Sequence, residues 1–180
     1  RDLPSFPTRR SSDLEIEFYS NLPDEYCLIV APHDISAPHL AQIKALFPGS
    51  RLYTELNTET PSKILVINTI GILSQLYQYA RFVYIGGGFG VNIHNIQEPV
   101  TFGCPVVFGT KYKSFKEAVD LVGLKGAFSV SNAEELSSVF HRLMTDEDFY
   151  AKASETCRSY LNSQVGATEG IIKGFKKALF

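Results

Sequence analysis

Short apolar runs alternate with amphipathic stretches along most of this 180-residue chain. The apolar runs are bounded by Gly, Pro or polar positions and are too short for helices, which is typical of buried strands. Between them, apolar residues recur at helical spacing, as at Leu40, Ile43 and Phe47. The predicted strands cover residues 27–31, 51–54, 64–67, 82–85, 105–108 and 127–130.

Strands that alternate with helices indicate βα units around a parallel sheet. We therefore predict an α/β fold: one Rossmann-like, doubly wound parallel sheet with helices on both faces. Helices are expected to begin near Asn95, Ser114, Asn132 and Asp146, and a last helix is expected at 167–179.

Residues 1–14 are polar and follow neither helical nor strand periodicity. One interpretation is a disordered tail. The other is that residues 5–14, which resemble the translation of a common sequencing-library adapter, are not native, and we exclude 1–14 from the fold on this ground. We expect one domain at 15–180 and an N-terminal domain of the natural protein that is missing from this chain.

Composition narrows the classes of function. A formal net charge of −2 and a pI near 6.1 argue against a nucleic-acid partner, which usually needs a basic face. Three cysteines without C-x-x-C spacing favour a reducing compartment and no metal cage. No apolar run approaches the roughly 18 residues of a membrane-spanning helix, so we expect this fragment to be soluble.

A glycine run, Gly86, Gly87 and Gly88, follows the strand at 82–85. Glycine lets the backbone turn sharply and approach a ligand, and the N–H groups of a following helix would face an anion. We expect Glu98 to share a helix face with His94 and Asn95, since it lies four and three residues after them. A carboxylate beside an anion site suits a pair of sugar hydroxyls.

Other strand exits also carry polar groups, and ligands bind at this edge of an open α/β sheet. Asn68 and Thr69 either cap the helix that begins near Gly71 or contact the ligand. A cluster of lysines that includes Lys116 is either solvated surface or part of the anion site.

Known nucleotide and catalytic signatures are absent from the sequence. Neither G-x-G-x-x-G nor the phosphate loop G-x-x-x-x-G-K-[S/T] occurs, which weighs against NAD and ATP. There is no G-x-S-x-G elbow and no paired carboxylates. His33 and His94 lack a third ligand at suitable spacing, so we interpret them as hydrogen-bond donors to a ligand and predict no metal. The chain thus predicts a nucleotide-sugar site without a full catalytic set.

Three motifs that follow one another along the chain are more specific than the glycine run alone. Residues 86–89 read G-G-G-F, residues 94–99 read H-N-I-Q-E-P, and residues 103–109 read G-C-P-V-V-F-G. Together they resemble the donor-binding half of 3-deoxy-D-manno-octulosonic acid (Kdo) transferases, and the resemblance covers about residues 25–164.

The resemblance implies a glycosyltransferase of the GT-B architecture, with the C-terminal domain binding CMP-Kdo and a missing N-terminal domain binding the lipid A precursor. It places the general base and the membrane-associated segment in that missing domain. It therefore implies no catalytic residue, metal or cofactor in this chain, no activity of the fragment alone, and a full-length enzyme at the cytoplasmic face of the bacterial inner membrane.

The same resemblance assigns Glu98 to the ribose hydroxyls, Asn95 and the glycine backbone to phosphate, and Lys116 to a supporting contact. The expected donor-binding residues are Pro32, His33, Asn68, Thr69, Gly71, Gly86, Gly87, Gly88, Phe89, His94, Asn95, Glu98 and Lys116.

Two motifs depart from the family pattern. Residues 32–34 read P-H-D where the family often has P-R-H, and residues 68–73 read N-T-I-G-I-L where it has D-T-x-G-E-L. The first departure puts an arginine contact to the nucleotide in doubt, and the second loses both acidic residues of the family pattern. Two alternatives stay open: another GT-B transferase or an epimerase that uses a UDP-sugar, and a non-catalytic nucleotide-sensing module.

Overall fold

The structure is a computed structural model that describes residues 22–56, 62–89 and 92–164. The segment 1–14 and the helix expected at 167–179 lie outside these residues. In chain order the elements are β1 (Leu28–Val30), α1 (Ala37–Leu46), β2 (Arg51–Leu52), β3 (Ile64–Val66), α2 (Leu73–Leu76), β4 (Val83–Tyr84), α3 (Gln97–Thr101), β5 (Val106–Phe108), α4 (Lys116–Leu124), β6 (Ala127–Ser129), α5 (Ala133–Thr145) and α6 (Glu147–Gln164). Short 3₁₀ turns occupy Tyr53–Glu55 and Tyr77–Tyr79.

The predicted α/β fold with parallel strands is confirmed, and each predicted strand contains an observed one. The hydrogen-bonded ladders, however, form two three-stranded sheets in the described residues, where the sequence predicted one. The first sheet has the order β1-β3-β2 and the second has the order β4-β5-β6. The strands are only two or three residues long, so each supplies few ladder bonds.

Strand β5 is the centre of the second sheet, and its three residues are fully buried. Because side chains alternate across a strand, Val106 and Phe108 pack against α3, α4 and α6, whereas Val107 packs against α5. The second sheet therefore has helices on both faces, as the apolar run at 105–108 predicted.

The first sheet is built around β3, which pairs with β1 and β2 on either side. Ile64 and Val66 are buried against Ile43 of α1 and against Phe47, the residue that follows this helix. Ile29, on the opposite face of β1, is 38% exposed. The core of this sheet is smaller than that of the second, and its helical packing comes from α1.

Hydrogen bonds at the end of α5 connect the two sheets. Arg81, just before β4, donates from Nε to the carbonyl of Leu143 at 2.9 Å and lies over the Tyr150 ring. Tyr26, just before β1, donates its hydroxyl to the carbonyl of Met144 at 3.1 Å. The last carbonyls of a helix have no partners within the helix, so these two side chains satisfy them.

Two buried thiols pack beneath the second sheet. Burial raises the pKa of Cys104 to about 11 and that of Cys157 to about 12. The Cys157 thiol contacts the carbonyl of Gly126 at 3.2 Å. Since the thiolate is the nucleophilic form of cysteine, these residues serve as small packing groups.

The loops after β4 and β5 touch backbone to backbone. A Cβ on Gly109 would lie 2.5 Å from the carbonyl carbon of Gly88, and a Cβ on Gly88 would lie 2.8 Å from the Cα of Gly109. Gly88 also has a φ of +81°, which L side chains rarely adopt. The amide of Lys111 donates to the Gly88 carbonyl at 2.8 Å. Glycine is therefore required at both positions by the packing of the fold.

This contact gives a stability prediction. Gly109→Ala should lower the free energy of unfolding by about 1–3 kcal/mol, because the new methyl group has no room beside Gly88. Urea denaturation followed by circular dichroism measures the change. Gly86→Ala is the matched control, since a Cβ there meets nothing within 4 Å. Equal destabilisation by both substitutions would contradict the packing argument.

Candidate functional site

The carboxyl ends of β1 and β4 bring two distant histidines together. His33 follows β1 and His94 lies in the loop after β4. Their ring centroids are 5.9 Å apart and the ring planes differ by 20°. Both side chains are exposed. The two sheets thus place their strand exits beside each other, which gives the predicted site a common edge.

The glycines of the run have different surroundings: two are required by the backbone conformation, and one has open space around it. Gly87 and Gly88 have φ values of +92° and +81°, and a Cβ on Gly87 would lie 2.7 Å from the carbonyl oxygen of Asn92. Gly86 has open space around its Cα. Phe89 packs against the buried cluster that contains Val107. Gly86 is therefore the position of this run where a ligand could approach the backbone most closely.

The helix after the glycine run begins later than predicted. α3 starts at Gln97 and has five residues, so His94 and Asn95 lie in the loop before it. The prediction that they share a helix face with Glu98 is wrong. The Oδ1 atom of Asn95 accepts a hydrogen bond from the Gln97 amide at 2.9 Å. Asparagine side chains often form such local turns in place of helix, which explains the later start.

Glu98 is an exposed carboxylate in the first turn of α3. It lies close enough to Tyr77 to act on that phenol: burial is the main cause that raises the pKa of Tyr77, and the Glu98 charge adds to it. The neighbouring Gln97 donates from Nε2 to Glu117 Oε1 at 3.1 Å and so connects α3 with α4. The Glu98 carboxylate can accept hydrogen bonds from two adjacent hydroxyls.

Asn68 holds two strand exits together. Its Nδ2 donates to Thr54 Oγ1 at 2.7 Å, and its Oδ1 accepts from the Thr54 amide at 3.1 Å. The helix-capping interpretation is wrong for this residue, because α2 begins at Leu73 with Ile72 as its N-cap and no side-chain cap bond. Gly71 has a φ of +95°, so the turn between Asn68 and α2 requires glycine.

Lys116 pairs within its own helix. Its Nζ lies 2.5 Å from Asp120 Oδ2, and the Tyr160 hydroxyl donates to the same oxygen at 3.0 Å. The hydrogen bond from Lys116 is the main cause that lowers the pKa of Asp120, and the same bond raises the pKa of Lys116. An exposed ion pair is worth little, so an anion at the start of α4 could compete for the ammonium group.

Asp34 brings a negative charge next to His33. Its two carboxylate oxygens accept hydrogen bonds from the amide and the hydroxyl of Ser36, at 2.8 and 3.0 Å. The bond from the Ser36 amide is the main cause that lowers the pKa of Asp34. A fixed carboxylate here makes the His33 side of the site less favourable for a phosphate than the Gly86 side.

Sequence reasoning missed two partners. Thr54 is engaged by Asn68 from the neighbouring strand, and Gly109 packs on Gly88 across the sheet. The polar Thr54 at the end of the strand predicted at 51–54 was the available signal for the first partner. The glycine that ends the G-C-P-V-V-F-G motif was the signal for the second.

Within 22–56, 62–89 and 92–164, no group of three or more His, Cys, Asp or Glu residues is arranged to hold a metal ion. Among the helices of those ranges, none has both the length and the apolar content that crossing a membrane requires.

Curated relatives match part of this chain. A Kdo transferase from Aquifex aeolicus is 30% identical over 121 residues, which is 66% of this chain and 33% of the relative. A probable mitochondrial Kdo transferase from Arabidopsis thaliana is 28% identical over 153 residues, which is 78% of this chain and 34% of the relative. The chain thus spans about a third of the length of these relatives. No protein-family model matches it.

Two solved structures share the fold. The C-terminal CMP-Kdo binding domain of WaaA from Acinetobacter baumannii superposes with a TM-score of 0.63 at 19% identity and covers 79% of this chain and 80% of that domain. WaaG, a glycosyltransferase involved in lipopolysaccharide biosynthesis, gives a TM-score of 0.60 at 18% identity over 88% of this chain and 40% of WaaG. The resemblance drawn from the motifs is confirmed: the chain is related in sequence to Kdo transferases and shares the fold of the C-terminal CMP-Kdo binding domain of WaaA.

Proposed function

We propose that this chain is the donor-binding half of a glycosyltransferase that moves Kdo from CMP-Kdo to a lipid A precursor in lipopolysaccharide biosynthesis. The observation that carries the proposal is the meeting of His33 and His94 at one edge of the fold. In this proposal the same edge provides the backbone at Gly86, which has open space around it, and the exposed carboxylate of Glu98. The similarity to Kdo transferases supports the choice of donor.

The chemistry of CMP-Kdo fits groups that bind charge rather than groups that react. This donor has one phosphodiester and one sugar carboxylate, so departure of CMP needs negative charge to be stabilised. We assign the phosphate to the backbone at Gly86 and to Asn95. Because Asn95 Oδ1 already accepts from Gln97, its Nδ2 is the atom that faces the phosphate in this proposal. A single phosphate requires no bridging metal.

The remaining contacts follow from position and charge. Glu98 accepts from the two ribose hydroxyls, and Lys116 adds a cation at the start of α4. Pro32, Thr69 and Gly71 shape the loops around the nucleotide. Asn68, Gly87, Gly88 and Phe89, which have structural partners in the fold, support these loops rather than the ligand.

The reaction itself belongs to the longer protein in this proposal. The general base is a carboxylate of an N-terminal domain that binds the lipid A precursor and associates with the cytoplasmic face of the bacterial inner membrane. The chain described here binds the donor and shows no transferase activity alone. A UDP-sugar is the competing donor in this proposal, because residues 32–34 and 68–73 depart from the family pattern.

Donor choice can be measured directly. In calorimetric titrations of the 180-residue chain with CMP and with UDP, we expect tighter binding of CMP. Preference for UDP would overturn the Kdo assignment and favour a UDP-sugar enzyme. A full-length gene whose upstream domain offers no carboxylate at the cleft would instead favour a nucleotide-sensing module.

The role of Glu98 gives a single-residue prediction. Glu98→Ala should weaken CMP binding by about 1–3 kcal/mol, because the ribose hydroxyls lose a charged acceptor. Calorimetry on the folded variant measures the loss. Glu25→Ala is the matched control: Glu25 is exposed but precedes β1, so it lies at the opposite edge of the sheet. Unchanged affinity in Glu98→Ala, or equal losses in both variants, would remove Glu98 from the site.

A further inference from the structure

An exposed carboxylate is held in a fixed position beside the histidine pair. Asp34 follows His33 in the loop after β1, and its Oδ1 and Oδ2 atoms accept hydrogen bonds from the amide and the hydroxyl of Ser36, at 2.8 and 3.0 Å. The bond from the amide is the main cause that lowers the pKa of Asp34, so the carboxylate is ionised at neutral pH. Each oxygen has two lone pairs and uses one of them for Ser36. Each can therefore accept a further hydrogen bond from a ligand.

The charge of Asp34 decides which part of a nucleotide can lie next to it. A phosphate would be repelled by the like charge of the carboxylate. The phosphate is assigned above to Asn95 and to the backbone at Gly86, which has open space around it. An uncharged pyrimidine base is then the part of the nucleotide that can lie on the His33 side of the site.

A carboxylate can distinguish the two pyrimidine bases of RNA by the group at position 4. Cytosine carries an N4 amine there, which donates hydrogen bonds, whereas uracil carries a carbonyl oxygen, which accepts them. An ionised carboxylate only accepts hydrogen bonds. It therefore attracts the cytosine amine and repels the uracil oxygen.

Other polar side chains at this edge already have bonds or another role. Asn68 uses Nδ2 and Oδ1 on Thr54, and Asn95 Oδ1 accepts from the Gln97 amide. Glu98 is assigned to the ribose hydroxyls. The Asp34 carboxylate is both held in place and exposed, so it loses little side-chain freedom when a ligand binds.

We propose that Asp34 selects the base of the donor nucleotide, by accepting a hydrogen bond from the N4 amine of cytosine. This inference rests on the donor-binding function proposed above and names the residue that separates cytidine from uridine nucleotides. Asp34 stands at the third position of a P-H-D sequence where the family often has P-R-H. The selection by a carboxylate is therefore inferred for this chain and not for the family as a whole.

The test compares CMP with UMP, which carry the same charge, in calorimetric titrations of the 180-residue chain. We expect the unaltered chain to bind CMP about 5- to 150-fold more tightly than UMP. Asp34→Asn should bring the ratio of the two affinities close to one, because an amide can donate to the uracil oxygen as well as accept from the cytosine amine. Loss of a negative charge raises both affinities alike, so the ratio is the quantity to compare.

Two further variants make the result specific. Asp34→Ala removes the acceptor without adding a donor and should also lose the preference for CMP. Asp24→Asn is the matched control: Asp24 is an exposed carboxylate that accepts from Lys63 Nζ at 2.8 Å, but it precedes β1 and lies at the opposite edge of the sheet. It should keep the ratio of the unaltered chain. Cytidine and uridine, which have no phosphate, should show the same pattern.

The outcomes separate the role of Asp34 from the proposed function. If the unaltered chain prefers CMP and both Asp34 variants keep that preference, Asp34 does not select the base, and the donor assignment stands. An equal change of the ratio in Asp24→Asn would also overturn the role of Asp34, since the effect would then follow net charge. An unaltered chain that does not prefer CMP, or that binds neither nucleotide, would overturn both proposals.

Discussion

The close approach of Gly88 and Gly109 is the constraint on which the candidate site depends. The loops after β4 and β5 lie so near each other that a Cβ at either position would fall within 2.9 Å of the opposite backbone. The amide of Lys111 then bonds to the Gly88 carbonyl at 2.8 Å and fixes the two loops as a unit. The chain that carries His94 and Glu98 leaves from this unit, so its direction is set by backbone packing rather than by the ligand.

A second requirement is that the two sheets keep their edges together. No ladder bond joins β1 to β4 in the described residues, yet their exits place His33 and His94 side by side. The bonds from Arg81 and Tyr26 to the end of α5 supply a connection at the opposite ends of these strands. The site therefore forms at a junction between two small sheets.

The residues that the sequence predicted to form one donor site have different roles in the fold. Gly87, Gly88 and Asn68 are used by the protein itself, in a turn, a close backbone contact and a bond to Thr54. His33, His94 and Glu98 stay exposed at the strand exits. Because a strand exit needs turn residues whether or not it binds a ligand, the position of a residue in a motif does not show whether its role is structural or in ligand binding. The space around each residue and the partners of its polar atoms distinguish the two roles.

The sequence by itself determined the strands, the α/β class and the family resemblance, since apolar runs such as 105–108 leave few ways to bury themselves. It also located the start of α5, where Asn132 accepts from the Glu135 amide at 2.9 Å. It misplaced the start of α3, because the Asn95 side chain competes with helix. Only the tertiary structure decided the two-sheet arrangement, the Asn68 bond to Thr54 and the stacking of the His33 and His94 rings, whose centroids are 5.9 Å apart. These join residues far apart in the chain, and local periodicity holds no information on such distances.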